Sequence, residues 1–154
     1  MRHVAVTLAL TVALLLEPNV SVAHDTALGV LIIPRIDMVT SITFAPLVNR
    51  IHAVPAHNAG WLEGTTWIDD TWGRVVLAGH NPGVFYRVGE LVPGDLIVVV
   101  GQSGRVRYAV TSVEIVNRDA WQLLAPTQTP TLLLITCLFD GSEDRIVVMA
   151  DRME

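Results

Sequence analysis

The feature of this sequence that most constrains its fold is a series of short apolar runs that begins at Gly29 and continues almost to the last residue. About seven of these runs are rich in β-branched residues and are separated by glycine, proline or aspartate, which is the pattern of β-strands joined by turns. The runs span residues 29–36, 39–45, 71–80, 94–101, 104–116, 131–137 and 144–151. So many short strands within 154 residues favour a closed or partly closed antiparallel barrel. The sequence therefore predicts one mainly β domain.

The segments between the runs carry weaker signals. Two short helical turns are predicted, one over residues 84–91 and one over residues 118–124, where Asp119 is expected to cap the turn. Residues 50–60, RIHAVPAHNAG, are polar and contain proline. This segment is therefore expected to be a loop.

The first 23 residues differ from the rest of the chain. Arg2 and His3 precede an apolar run over residues 4–16, and small residues follow at 21–23, which is the pattern of a secretory signal. The run is shorter than the roughly 20 residues that usually span a bilayer. We therefore expect residues 1–23 to be a signal peptide or short membrane anchor, residues 24–154 to form the β-barrel domain, and the protein to be extracytoplasmic, at the cell surface or held at the membrane.

Composition excludes several classes of function. The chain has a single cysteine, so an intramolecular disulfide and a cysteine-rich metal site are both ruled out. All ten basic residues are arginines, so catalysis through a lysine Schiff base is not available. The net charge is −5 and the arginines are scattered, so no basic surface for nucleic acid is expected. No cofactor and no metal ion are predicted.

Three residues stand where predicted strands meet loops. Cys137 ends the run 131–137, His80 follows the run 75–78, and Arg145 opens the last strand. A reactive side chain at such a position is rigidly held and reachable, and a lone thiol in an exported protein invites a chemical role. Each residue alone also has an ordinary structural explanation: a small buried hydrophobe, a surface histidine, or an ion pair with a nearby carboxylate. His52 and His57 are less suited as bases, because both lie in the polar segment 50–60.

Taken together, these residues resemble the active site of a sortase. The motifs are Gly79-His80-Asn81, the stretch Leu134-Ile135-Thr136-Cys137, and an arginine opening the strand that follows. The resemblance covers most of residues 29–152, and includes VLIIPRI, VVLAGHN and VFYRVGELVPGDLIVVV. Each motif is weak alone, but their order and spacing after an export segment are fairly specific.

The resemblance implies a sortase-type closed antiparallel or mixed β-barrel of about seven to eight strands with one or two short helices. It implies a cysteine transpeptidase in which Cys137 is the nucleophile, His80 the general acid and base, and Arg145 the group that supports the oxyanion. Thr136 and Asn81 are expected to contact the substrate.

The partners implied by the resemblance are exported proteins with a C-terminal sorting signal similar to Leu-Pro-x-Thr-Gly, and an amine acceptor on a cell-wall precursor or a pilin. Membrane association through residues 4–16 is a further expectation. Trp61, Trp67 and Trp72 lie in a segment that departs from the family pattern, so they are expected either to reshape the substrate groove or to pack at the edge of the core.

Two alternatives stay open on the sequence alone. A secreted cysteine peptidase or an L,D-transpeptidase would also use Cys137 and His80, although the Ser-His-Gly-Cys pattern of L,D-transpeptidases is absent. A non-enzymatic exported β-barrel binding module would have an inert Cys137 and would contact a ligand through the loop 61–72.

Overall fold

The computed structural model describes residues 26–154, which form ten β-strands and three short 3-10 turns. The strands are β1 (Gly29–Ile33), β2 (Met38–Ala45), β3 (Leu47–Val48), β4 (Ile51–His52), β5 (Ala59–Leu62), β6 (Arg74–Ala78), β7 (Leu96–Gly101), β8 (Gly104–Val116), β9 (Thr131–Cys137) and β10 (Arg145–Arg152). The turns are Pro34–Ile36, Val88–Glu90 and Trp121–Leu124.

Eight of the strands close into a barrel in the order β1, β2, β5, β6, β9, β10, β8, β7. The pairs β2–β5 and β6–β9 are parallel, and the other neighbouring pairs are antiparallel. The remaining strands, β3 and β4, form a separate hairpin between β2 and β5. The prediction of a mainly β, closed barrel of mixed strand direction is confirmed.

The barrel is held by apolar side chains that point inward at every second residue. On β9 the inward residues are Leu132 and Leu134, which pack with Val75 and Leu77 of β6 and with Val148 of β10. All five are almost completely buried. Because side chains alternate along a strand, the intervening residues of β6, β9 and β10 face outward.

The outward face of these three strands carries a second apolar cluster. Its buried members are Ala45, Leu62, Val76, Ala78, Leu133 and Val147. Leu123 and Leu124 of the last 3-10 turn pack against it from outside the barrel. Arg74 at the start of β6 holds this turn in place, since its guanidinium donates to the carbonyl of Leu123 at 2.6 Å. The β8–β9 connection therefore lies along the outside of the barrel and covers part of it.

The β5–β6 loop, residues 63–73, is fixed to the β7–β8 hairpin by one carboxylate. The Asp69 oxygens accept hydrogen bonds from the backbone N–H groups of Gln102 and Ser103, each at 3.2 Å. A Cβ atom at Gly101 would collide with this carboxylate, so the close approach requires glycine. The loop is thus a defined part of the structure.

Two predictions about the connecting segments are wrong. Residues 50–60 are not simply a loop, because they contain β4 and the start of β5. Two-residue strands are too short to show alternation, and β5 forms because β2 and β6 flank it on both sides. Asp119 does not cap the 3-10 turn: the residue before the turn is Ala120, no side chain caps it, and the Asp119 carboxylate lies 3.7 Å from Arg118.

The predicted helical turns at 84–91 and 118–124 correspond to the shorter 3-10 turns Val88–Glu90 and Trp121–Leu124. The predicted signal or anchor, residues 1–23, lies outside the described residues. Within residues 26–154, no helix has the length and hydropathy needed to cross a bilayer.

Candidate active site

The register of three adjacent strands brings Cys137, His80 and Arg145 together. In the parallel pair β6–β9, Ala78 lies opposite Ile135. His80 lies two residues after Ala78, and Cys137 lies two residues after Ile135. Because side chains alternate along a strand, both are on the same outward face as Ala78 and Ile135. In the antiparallel pair β9–β10, Cys137 lies directly opposite Arg145. The three residues are therefore neighbours across three strands although 65 positions separate the first from the last.

Cys137 is a free, exposed cysteine at the end of β9. Its carbonyl oxygen accepts a hydrogen bond from the side-chain amide of Asn81 at 3.0 Å. The preceding residue, Thr136, is buried, and its hydroxyl donates to the carbonyl of Gly79 at 2.7 Å. These two bonds tie the segment around His80 to the end of β9, so the backbone on both sides of the site is fixed.

The imidazole of His80 is oriented by a backbone carbonyl. Its Nε2 atom lies 3.2 Å from the carbonyl oxygen of Val54, in the segment that leads from β4 to β5. A carbonyl oxygen can only accept, so this bond requires the proton on Nε2. In the neutral ring, Nδ1 is then the nitrogen that can take a proton.

Arg145 is half-buried and points its guanidinium toward the same face. One terminal nitrogen donates to the carbonyl oxygens of Glu143 and Asp144, at 2.6 and 3.2 Å. The sequence left open an ion pair between Arg145 and a loop carboxylate, but within the part of the chain that the structure describes none lies within 4 Å of its guanidinium. Glu143 instead pairs with Arg118. The positive charge of Arg145 is therefore available to a ligand.

The loop 138–144 after Cys137 is a tight polar turn. Asp140 accepts hydrogen bonds from Ser142, which hold the pKa of the Asp140 carboxyl below its usual range. The backbone N–H of Leu138 donates to the carbonyl of Asp144 at 3.0 Å and closes the loop. The loop is therefore held by its own hydrogen bonds.

A cavity of about 210 Å³ opens beside the cysteine, and we call it the Cys137 cavity. It is lined by His52, Val54, Leu62, Ala78, Gly79, His80, Ile135, Thr136, Cys137 and Arg145. Its walls are mostly apolar, with the thiol, two imidazoles and one guanidinium as the ionisable groups. Such a composition suits a peptide whose backbone is fixed by a few polar contacts.

A second cavity of about 110 Å³ continues from it, and we call it the flanking cavity. The two share His52, Leu62, Ile135 and Arg145. The far wall of the flanking cavity is formed by the β8–β9 connection, including Trp121 and Leu124. The shared residues make one groove that runs along the outside of the barrel from the thiol past Arg145.

The structure adds a second histidine that the sequence argument set aside. His52 ends β4 and lines both cavities, and its Nε2 lies 3.0 Å from the carbonyl oxygen of Glu63. His57 lines other cavities instead. Ile135 could have been predicted as a lining residue, because it lies two positions before Cys137 on the same face of β9. No sequence signal marks His52 or Val54, which reach the site through the β3–β4 hairpin.

The three tryptophans of the β5–β6 region do not line the Cys137 cavity. Trp61 and Trp67 pack edge to face with ring centres 4.9 Å apart, and both contact the barrel core. Trp72 is exposed over 59% of its surface. The three line a separate cleft, which adjoins the flanking cavity at Leu124.

Comparison with known proteins agrees with this fold. A family model described as the Sortase domain matches residues 31–153. Sortase D of Bacillus subtilis is 29% identical over 112 residues, which cover 72% of this chain and 54% of that protein. Sortase A of Bacillus anthracis is 32% identical over 84 residues, 51% of this chain and 40% of that protein.

A solved structure of a lid mutant of sortase A from Corynebacterium diphtheriae superimposes with a TM-score of 0.72 at 25% identity, covering 84% of this chain and 71% of that one. The fold and the site thus define an eight-stranded barrel with cysteine, histidine and arginine at the ends of adjacent strands. The chain belongs to the sortase family. It spans about half the length of the curated relatives it matches.

Proposed function

We propose that this protein is a cysteine transpeptidase that cleaves a C-terminal sorting signal similar to Leu-Pro-x-Thr-Gly on exported proteins and transfers the acyl group to an amine. The observation that carries this proposal is the side-by-side placement of Cys137, His80 and Arg145 on three neighbouring strands, at one end of an apolar groove.

In the first half of the reaction, the Cys137 thiol gives its proton to Nδ1 of His80, and the resulting thiolate attacks the carbonyl carbon of the scissile amide to form a C–S bond. The carbonyl electrons move onto oxygen, and the Arg145 guanidinium stabilises the negative charge. The tetrahedral intermediate then expels the amine, which takes a proton from His80 as the C–N bond breaks. The products are a thioacyl enzyme and the released C-terminal segment.

In the second half, the acceptor amine enters on the side of His80. Nδ1 of His80 takes a proton from the attacking amine, the new C–N bond forms, and the thiolate leaves. The carbonyl of Val54 supports the ring throughout, because it accepts the Nε2 proton in both the neutral and the charged form of the imidazole.

We propose that Asn81 and Thr136 serve the site by fixing the backbone beside Cys137 and Gly79. Direct contact of either residue with the substrate stays a prediction. The acceptor on a cell-wall precursor or a pilin, the extracytoplasmic location, and the role of residues 1–23 as a signal peptide or anchor before a catalytic domain at 24–154 are parts of the same proposal. Membrane association would come from residues 4–16.

The experiment that tests the proposal incubates the protein with a quenched peptide containing Leu-Pro-x-Thr-Gly, with and without triglycine as the amine. We expect cleavage, a thioester adduct on Cys137 by mass spectrometry, and a ligated product when triglycine is present. Cys137→Ala should abolish all three. Hydrolysis that stays the only outcome at every amine concentration would instead identify a cysteine peptidase.

A non-enzymatic binding module predicts a different result in a thiol assay. A methanethiosulfonate reagent should modify Cys137 quickly in the wild-type protein and much more slowly in His80→Ala if the imidazole activates the thiol. Equal modification rates in the two proteins, together with no adduct from the peptide, would contradict the enzymatic proposal.

A further inference from the structure

The most distinctive feature outside the Cys137 groove is a cleft of about 360 Å³ at the β5–β6 loop, which we call the tryptophan cleft. It is lined by Trp61, Gly64, Thr65, Thr66, Trp67, Asp70, Trp72, Leu124 and Pro126. Three aromatic side chains and one carboxylate thus share a surface cleft, and none of its lining residues is basic.

Asp70 is half-buried in this cleft. Among residues 26–154, its carboxylate accepts no hydrogen bond and forms no ion pair within 4 Å. Arg152, the nearby cation, donates to the backbone carbonyl of Asp70 at 3.5 Å rather than to its side chain. The neighbouring Asp69, in contrast, is fully engaged with the β7–β8 hairpin. The cleft therefore holds a negative charge with no counterion from the described chain.

The walls of the cleft are preorganised. The indole N–H of Trp61 donates to the carbonyl of Thr66 at 2.8 Å, and the Trp61 ring packs edge to face against Trp67. Trp72 offers the most exposed face of the three. Because indole faces attract cations and the carboxylate adds a full negative charge, the chemistry of the cleft fits an alkylammonium group.

The cleft also adjoins the substrate groove. Leu124 is a wall of both the tryptophan cleft and the flanking cavity, and the flanking cavity shares Arg145 with the Cys137 cavity. His80 protonates the departing amine, so the leaving segment lies on the side of His80. The acyl segment then runs past Arg145 through the flanking cavity, in the direction of the cleft.

We propose that the tryptophan cleft is a second subsite that holds the ammonium group of a lysine in the substrate polypeptide, upstream of the bond that is cut. This inference rests on the proposed function, because it takes the acyl chain to lie in the groove. Trp72 and Asp70 are the residues that contact the lysine.

The fold also sets the position of that lysine. The backbone N–H of Thr66, in the cleft wall, donates to the carbonyl of Arg74 at the start of β6. From Arg74 to His80 are six steps along the chain, or about 20 Å at the rise of a β-strand. An extended peptide covers that distance in about six residues. The lysine should therefore stand about six residues before the residue whose carbonyl is attacked.

The test uses the full-length protein and quenched peptides that differ at one position. A lysine is placed in turn at four to eight residues before the cleaved residue, and glutamine at the same position serves as the reference. We expect one position to raise kcat/KM about three- to ten-fold over glutamine through KM, the size of a partly exposed cation–π contact combined with an ion pair. The preference should collapse in Asp70→Asn and Trp72→Leu.

Asp37→Asn is the matched control, because Asp37 is an exposed aspartate in the turn between β1 and β2 and lines a different cavity that shares no residue with the tryptophan cleft. It should keep the full lysine preference. If lysine and glutamine peptides are cleaved equally at every position, or if Asp70→Asn keeps the preference, the subsite proposal is wrong while the proposed function stands.

A second measurement keeps the two proposals apart if no peptide is cleaved. The short peptide acetyl-Gly-Lys-Gly-amide is titrated into the full-length protein carrying Cys137→Ala, and the indole N–H signals are followed by NMR. Signals of Trp67 and Trp72 should shift saturably, that of Trp121 should not, and Asp70→Asn should weaken the binding at least three-fold. Shifts that are absent, or that do not depend on Asp70, would overturn the subsite directly.

Discussion

Arg74 offers the sharpest test of how the groove is built. Its guanidinium joins two parts of the chain that are not covalently close, since it donates to the carbonyl of Leu123 at 2.6 Å and to the hydroxyl of Thr131 at 3.3 Å. Within the described residues it forms no ion pair. Partial burial lowers the pKa of Arg74. Because a guanidinium stays protonated in proteins, the side chain is a charged donor.

The expected effect follows from these two bonds. A hydrogen bond from a charged donor contributes about 1.5–3 kcal/mol when shielded, and solvent screening at this partly exposed site reduces it to about 1 kcal/mol. Arg74→Met loses both bonds. The equilibrium constant for detachment of the 3-10 turn that carries Leu123 should therefore rise up to about 30-fold. Arg74→Lys keeps one bond, so the same equilibrium constant should rise only about five-fold.

The assay is steady-state cleavage of the quenched sorting-signal peptide. Because the turn forms the far wall of the flanking cavity, its release should raise KM in the order wild type, Arg74→Lys, Arg74→Met and leave kcat nearly unchanged. Arg105→Met is the control, since Arg105 is an exposed arginine on β8. A fall in kcat at constant KM, or a wild-type KM in Arg74→Met, would refute the reasoning that Arg74 acts through the groove wall.

Three other perturbations have defined outcomes. His80→Ala should lower kcat at least 100-fold, whereas His52→Ala, which removes only a groove wall, should raise KM a few-fold in the same peptide assay. Thr136→Val leaves the carbonyl of Gly79 without its buried donor and should cost about 1–3 kcal/mol of unfolding free energy in urea denaturation. Burial raises the pKa of Tyr108, so the phenol loses its proton at a lower pH in the unfolded chain than in the folded one. Unfolding free energy should therefore fall as pH rises above about 10, and Tyr108→Phe should flatten that slope.

Much of the barrel could be predicted because its long strands carry their own signals. The runs around Leu134, Val76 and Val148 are apolar, β-branched and bounded by turn residues, so they show both their type and their approximate ends. The β3–β4 hairpin and β5 carry no such signal. They are set by pairing partners elsewhere in the chain, and a stretch such as Ala59–Leu62 becomes a strand only between β2 and β6.

The candidate site divides in the same way. Cys137, His80 and Arg145 could be proposed together because each stands at the edge of a strong strand. His52 and Val54 could not, because their approach to the groove depends on how the hairpin folds over the barrel. The sequence alone also could not decide whether Arg145 forms an ion pair with a loop carboxylate. The structure shows that Glu143 pairs with Arg118 instead.

The division between inward and outward residues carries a consequence for how this site tolerates change. Inward residues of β6 and β9, such as Leu77 and Leu134, are fully buried and hold the strand register. Outward residues at the same strand ends are the chemical groups, and their mutual position depends on that register and on the hydrogen bonds of Asn81, Thr136 and the Val54 carbonyl. Substitutions such as Cys137→Ala or His80→Ala should therefore remove chemistry with little loss of stability, whereas Leu134→Ala should cost about 2–5 kcal/mol and weaken the site only by unfolding the barrel.

The groove wall is different, because it rests on the side chains of Arg74, Leu123 and Leu124 rather than on strand pairing. Substrate selection can thus vary through the β8–β9 connection while the triad stays in place.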